Sequence, residues 1–194
     1  MPADPEKEMS MNDRTLVQIA FYAALTAALG LLPKLAIPVA GGVPVTAQTL
    51  GIMLAGVMLG PVRGALSILL FLFLVALGAP LLAGGRGGLA VFQSPGAGFI
   101  LAWPLGALAA GLIMQKTASW RVLPAAALAA TVGGIGVVYL FGIPGLAFLA
   151  DMSLAKAAAG SAVFLPGDLL KVVVAAAVAE TVARGLPSAL LSRS

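Results

Sequence analysis

The sequence predicts an all-α integral membrane protein of six transmembrane helices with both termini on the cytoplasmic side. Three observations carry that prediction. Of the 194 residues, 61% are hydrophobic and only 9% are charged, against about 25% charged in a soluble domain. Such a chain cannot cover a water-facing surface with charge. Its apolar residues fall into six runs, most of them near the ~20 residues that cross a bilayer. Its basic residues divide unevenly between the two sides those runs define. One side holds Lys7, Arg14, Arg63, Lys116, Arg121, Arg184 and Arg193, and the other Lys34, Arg86 and Lys156. Seven against three puts the first side in the cytoplasm by the positive-inside rule.

Taken in order, residues 1–14 form a polar tail of mixed charge, followed by a first span at 15–32 that Pro33 and Lys34 stop. The run is too long for a signal-peptide core and lacks a basic leader, so it is read as retained. The second span, 47–60, is short and closes at "GPVRG"; an upstream extension toward Pro44 is an option. The third covers 64–82. The fourth opens at Ser94-Pro95, which reads as helix cap and first helical residue, and ends by Gln115. Pro104 is expected to kink it. The fifth runs over about 122–141 and the sixth over 166–186, leaving 187–194 as a cytoplasmic tail. Residues 15–186 thus make a single membrane domain. The outer segment 142–165 is mostly apolar or small and suggests a short helix lying at the outer surface.

The absence of Cys and His from the sequence removes disulfides, thiol nucleophiles, histidine triads and ordinary zinc sites. No metal site, catalytic residue or catalytic cofactor is expected, and the chain is not read as an enzyme. Nothing points to nucleic acid; the lipid bilayer is the first partner, and a homo-oligomer stays open.

The informative polar groups gather on the outer side. Asp168 and Lys171 open the sixth span three residues apart on one helix face. An acid is at home at a helix start, but a cation there opposes the dipole; ionisable groups at membrane depth usually mark a function. Arg86 sits among Gly84, Gly85, Gly87 and Gly88, and Gly85 and Gly87 would let backbone approach a ligand. The Ser94 helix start offers free N–H groups for a carboxylate. Tyr139 and Gln48 complete the candidate contacts, Gln48 beside Thr46 and Thr49 at the mouth of the second span. Glu180 and Arg184 read as an i,i+4 pair. Small residues recur at helical spacing, Ala20, Ala24 and Ala28 in the first span and Gly56, Gly60 and Gly64 around the second. Such stripes pack helices closely, inside the bundle or against another subunit. Together the outer groups suggest a pocket for a small ligand with an anionic end.

The segments "PVTAQTLG", "LAGGRGG", "SPGAGF" and "PGDLLK", in that order, closely resemble the BioY family. Those proteins are biotin-specific substrate-binding components (S-components) of energy-coupling factor (ECF) transporters. The resemblance implies an S-component fold in a bacterial or archaeal cytoplasmic membrane. It implies a biotin pocket near the outer face touched by Asp168 and Lys171, with residues 34–46 as a lid. It also implies that Ala20, Ala24 and Ala28 dock on a transmembrane coupling subunit, which works with two ATPase subunits. Some members are thought to work without such partners, which leaves a self-sufficient secondary or facilitative biotin transporter as the alternative. "SPGAGF" stands where many members have "GPTGGY", so two hydroxyls are missing here. Lys171 could serve the ureido oxygen or the carboxylate of biotin, and the carboxylate could instead lie at Arg86 or Ser94.

Overall fold

A computed structural model describes residues 5–32, 35–36 and 44–193. Six helices lie among them: α1 (Pro5–Leu29), α2 (Gln48–Leu59), α3 (Pro61–Ala76), α4 (Ala97–Lys116), α5 (Val122–Leu149) and α6 (Leu154–Gly185). Between α1 and α2, two-residue strands β1 (Leu35–Ala36) and β2 (Pro44–Val45) pair antiparallel. The rest of the lid expected at 34–46 lies outside the described residues, apart from Thr46.

The break between α2 and α3 is a single step. Gly60 takes φ +85, a left-handed value that favours glycine, and Pro61 then starts α3 with φ already helical. At 12 residues, α2 is about 18 Å long and shorter than a bilayer core. It begins at Gln48, so the upstream extension toward Pro44 is strand rather than helix. By length and composition α4, α5 and α6 can each cross a membrane. Every residue from Gly51 to Pro61 is buried, so α2 is the central helix of the bundle.

Several boundaries differ from expectation. The first helix starts at Pro5, and much of the expected tail continues it. The third spans Pro61–Ala76 rather than 64–82. The fifth runs on to Leu149, and the sixth starts at Leu154, passing through a 3-10 turn at Ala162–Phe164. The segment 142–165 expected to hold a short helix does contain one, Leu154–Ser161, but it runs on through the 3-10 turn as the first turns of α6, and 142–149 completes α5. The reversal between them sits at Asp151, φ 47, and Ser153, whose hydroxyl accepts from the Lys156 N–H at 3.3 Å. The C-terminal segment is not a free tail either. Leu190 and Ser192 are buried, and the Arg193 guanidinium donates to the Trp120 and Thr117 carbonyls at 2.9 and 3.0 Å, capping the end of α4.

Backbones meet where side chains are smallest. A Cβ on Gly98 would lie 2.8 Å from Gly145 Cα, so α4 and α5 touch main chain to main chain. A Cβ on Gly111 would collide with Pro61 N and Gly60 C, atoms of the rigid α2–α3 step. Gly111→Ala is therefore expected to cost about 1–3 kcal/mol as overpacking, read as a lower melting temperature in detergent; an unchanged melt would contradict this contact. The Gly56 and Gly64 positions are packing sites of the same kind. The Ala20, Ala24 and Ala28 stripe is different. All three are exposed, while Ile19, Ala23 and Thr26 face the core, so internal packing does not use it.

In α5 the segment Thr131–Val137 winds as a π-helix. Such wide turns shift the register of the next helical turn and recur at functional sites. Here that next turn brings Val138 and Tyr139 to the wall of a cavity.

Candidate functional site

The cavity opens at the end of the bundle where α2 and α4 begin. It is lined by Thr46, Gln48 and Thr49; Leu82 and Arg86; Gly96, Phe99, Ile100 and Trp103 of α4; Val138 and Tyr139 of α5; and Phe164, Asp168 and Lys171 of α6. Its walls are mostly apolar, with a few convergent polar groups, the usual make-up of a small-molecule site. Phe99 sets the aromatic wall, edge-on to both Tyr139 and Phe164 at 5.8 and 6.0 Å between centroids.

The polar centre is built from three helices. Asp168 and Lys171 form an ion pair at 2.8 Å, with side chains only 4% and 14% exposed. Thr49 donates to Asp168 Oδ1 at 3.0 Å and accepts from Lys171 Nζ at 2.8 Å. Tyr139 donates to Asp168 Oδ2 at 2.8 Å. In this network both Asp168 oxygens act as acceptors, and specific capacity is left open. Asp168 Oδ2 accepts one bond among the described residues, Tyr139 O none, and Lys171 uses two of its three N–H donors. The site can therefore accept from N–H groups and donate to an oxygen around one carboxylate.

Arg86 supplies the other charge. It is half-buried at the cavity, and its Nε reaches the Ala83 carbonyl at 3.4 Å. No carboxylate pairs with it among the described residues. Burial pushes its guanidinium below the ordinary value, yet an arginine stays charged. A half-buried cation without a counter-ion favours an anionic ligand.

Of the residues expected from sequence, Asp168, Lys171, Arg86, Tyr139 and Gln48 line one cavity. Three others do not. Gly85, at φ +71, turns the backbone beneath Arg86. Gly87 packs so tightly that a Cβ would strike the Ala79 carbonyl. Ser94 does not cap α4: its hydroxyl donates back to Val91 O at 2.7 Å, and Gly96 precedes the helix. At that helix start the Ala97 N–H is bonded to Ser94 O at 2.9 Å and the Phe99 N–H to Gly96 O at 3.1 Å. Gln48 lines the cavity, but its amide is turned to backbone. Glu180 pairs with Arg184 at 2.7 Å and accepts the Leu123 N–H at 3.1 Å, so it ties α6 to the start of α5.

Sequence reading missed the walls Phe99, Phe164 and Trp103, and gave Thr49 no role of its own. Trp103 is notable because its indole Nε1 is buried without a partner among the described residues. Pro104, one residue on, has no N–H, so the Ile100 carbonyl lacks its helical donor, and Ile100 also lines the cavity.

Comparison with known proteins gives one answer. The chain is 48% identical over 190 residues to the biotin transporter BioY of Rhodobacter capsulatus, covering 93% of this chain and 99% of that one. It is 44% identical over 171 residues to a probable biotin transporter BioY of Bacillus subtilis, covering 88% and 91%. Its fold matches the crystal structure of the S-component for biotin from an ECF-type ABC transporter with a TM-score of 0.84 and 28% identity, over 97% of this chain and 100% of that one. The BioY family pattern spans residues 5–188, and the chain, a multi-pass membrane protein with the S-component fold, belongs to the BioY family.

Proposed function

We propose that this protein binds biotin in the cavity between α2, α4, α5 and α6, as the substrate-specific component of an ECF-type uptake system. The observation that carries the reading is the unmet hydrogen-bonding capacity around Asp168. Biotin's ureido ring presents two N–H donors beside one carbonyl acceptor. Asp168 Oδ2 and the Tyr139 oxygen can accept, and the third Lys171 N–H can donate to the ureido oxygen. Charge-assisted bonds in a dry site are the strong kind. The thioether ring and alkyl tail suit Phe99, Phe164 and Val138. Arg86, which has no carboxylate partner among the described residues, takes the ligand's carboxylate. This division assigns Lys171 to the ureido end and sets aside Ser94.

The protein does not catalyse a reaction; biotin is its cargo. Both termini face the cytoplasm, and the pocket opens outward. The exposed Ala20–Ala24–Ala28 face of α1 supports docking on a transmembrane coupling subunit that in turn engages two ATPase subunits.

Comparing biotin with its neutral amide tests the assignment of ends. Arg86→Ala should cost about 1.5–3 kcal/mol of biotin binding, the range for bonds to charged groups, and leave the amide nearly unaffected. Equal losses for both ligands, or none, would contradict the placement of the carboxylate at Arg86.

A further inference from the structure

Gln48 is a buried polar side chain at a ligand cavity whose polar atoms serve something other than the ligand. It is 1% exposed. Its Oε1 accepts the Ala83 N–H at 2.9 Å. Its Nε2 donates to Leu81 O at 3.0 Å and to Thr26 O at 3.3 Å. A primary amide has two N–H donors and one carbonyl, so both hydrogens are used. These bonds grip the chain on each side of Leu82 and tie it to α1.

Leu82 is in turn bonded both ways to Arg86, Leu82 N–H to Arg86 O at 3.0 Å and Arg86 N–H to Leu82 O at 3.1 Å. Hydrogen bonds joined through the peptide units that flank Leu82 therefore lead from α1 through Gln48 to the backbone of Arg86. The turn between Leu82 and Arg86 is Ala83-Gly84-Gly85, and it has little side chain of its own to hold it in place. We propose that Gln48 is a positioning residue: it holds the 82–86 turn against α1, and so aims Arg86 at the ligand's carboxylate, without bonding the ligand itself.

Gly30 bears on the same knot from the far side. A Cβ there would lie 2.5 Å from Leu81 O and 2.8 Å from Gln48 Nε2. Gly30 thus offers a way to disturb the knot from a position that does not itself line the cavity. The pattern of partners also selects glutamine. Leucine has the volume and none of the bonds. Ionised glutamate keeps the acceptor for Ala83 but sets a negative oxygen against two carbonyls.

The inference rests on the assignment of Arg86 to the carboxylate, and the test separates the two. Affinities for biotin and for biotin amide are measured on purified wild type, Arg86→Ala, Gln48→Leu, Gln48→Glu, Gly30→Ala and the Gln48→Leu/Arg86→Ala double variant, with a thermal melt of each. Gln48→Leu should weaken biotin by about tenfold, the scale of one charge-assisted bond, and change amide binding by less than about twofold. The double variant should bind biotin no worse than Arg86→Ala alone, since residues acting through one contact are not additive. Gly30→Ala and Gln48→Glu should show the same selectivity for biotin, and they carry the test if Gln48→Leu does not fold. Equal losses for biotin and amide in the folded Gln48 and Gly30 variants, or additive losses in the double variant, would overturn the positioning role alone. Full biotin affinity in Arg86→Ala would overturn the carboxylate assignment and this proposal with it.

Discussion

Replacing Asp168 with alanine is expected to lower biotin affinity by at least ~1.5–3 kcal/mol, the range for hydrogen bonds to charged groups, which is about ten- to a hundredfold. The loss has two parts. The variant removes the acceptor for a ureido N–H. It also strips Lys171 and Tyr139 of the carboxylate that orients them. Breaking a buried pair from one side costs about 3–5 kcal/mol of stability, so Asp168→Ala should also melt earlier. Asp168→Asn keeps the volume and separates the binding loss from unfolding. Lys171→Ala should weaken binding over a similar range but destabilise less, because Thr49 and Tyr139 still donate to the carboxylate left behind. Calorimetric titration with biotin and a thermal melt check both effects. Full affinity in both alanine variants would reduce the pair to a helix-start ornament.

Ala24→Leu is expected to abolish partner-dependent uptake while leaving biotin binding intact. Ala24 lies on the exposed face of α1 with Ala20 and Ala28, and none of the three lines the cavity. Small residues let helices approach closely in a bilayer, where van der Waals packing rather than water drives association. A leucine at the middle of the stripe would hold a partner helix off. The neighbouring Ala23 is 4% exposed, and Ala23→Leu should do the reverse, costing about 1–3 kcal/mol of stability as overpacking. Biotin uptake in cells carrying the coupling and ATPase subunits, set beside binding by the purified variant, checks the contrast. Undiminished uptake by Ala24→Leu would remove this face from docking. Undiminished uptake in cells lacking every coupling subunit would favour a self-sufficient transporter.

What could be read from the sequence was whatever violates the rules of an apolar chain. Asp168 and Lys171 are charges at the mouth of an oily helix, and they stand at the cavity in the structure because burying them without a use is costly. Arg86 was visible for the same reason. Gln48 was visible as a residue but not as a role: an amide can face ligand or backbone, and only the approach of Leu81, Ala83 and Thr26 decides. The glycines around Arg86 announced a turn without saying that the turn carries the arginine rather than the ligand. Ser94 is a good cap by type, yet the 3-10 turn at Leu89–Gln93 brings Val91 O within reach of its hydroxyl first. Alanine spacing at 20, 24 and 28 could not distinguish inward from outward. Hydropathy saw one apolar stretch through 142–165 and had no means to place the reversal that Asp151 and Ser153 make. The cavity walls Phe99, Phe164 and Trp103 carry no mark in an apolar sequence; the bundle alone brings them together.

The central claim is that the Asp168 network is a biotin site, and equilibrium titration of the purified protein in detergent with biotin tests it most directly. Wild type should show tight, saturable binding at one site per chain, and Asp168→Asn should lose most of that affinity while staying folded. Absence of saturable biotin binding by properly folded wild-type protein would contradict the account.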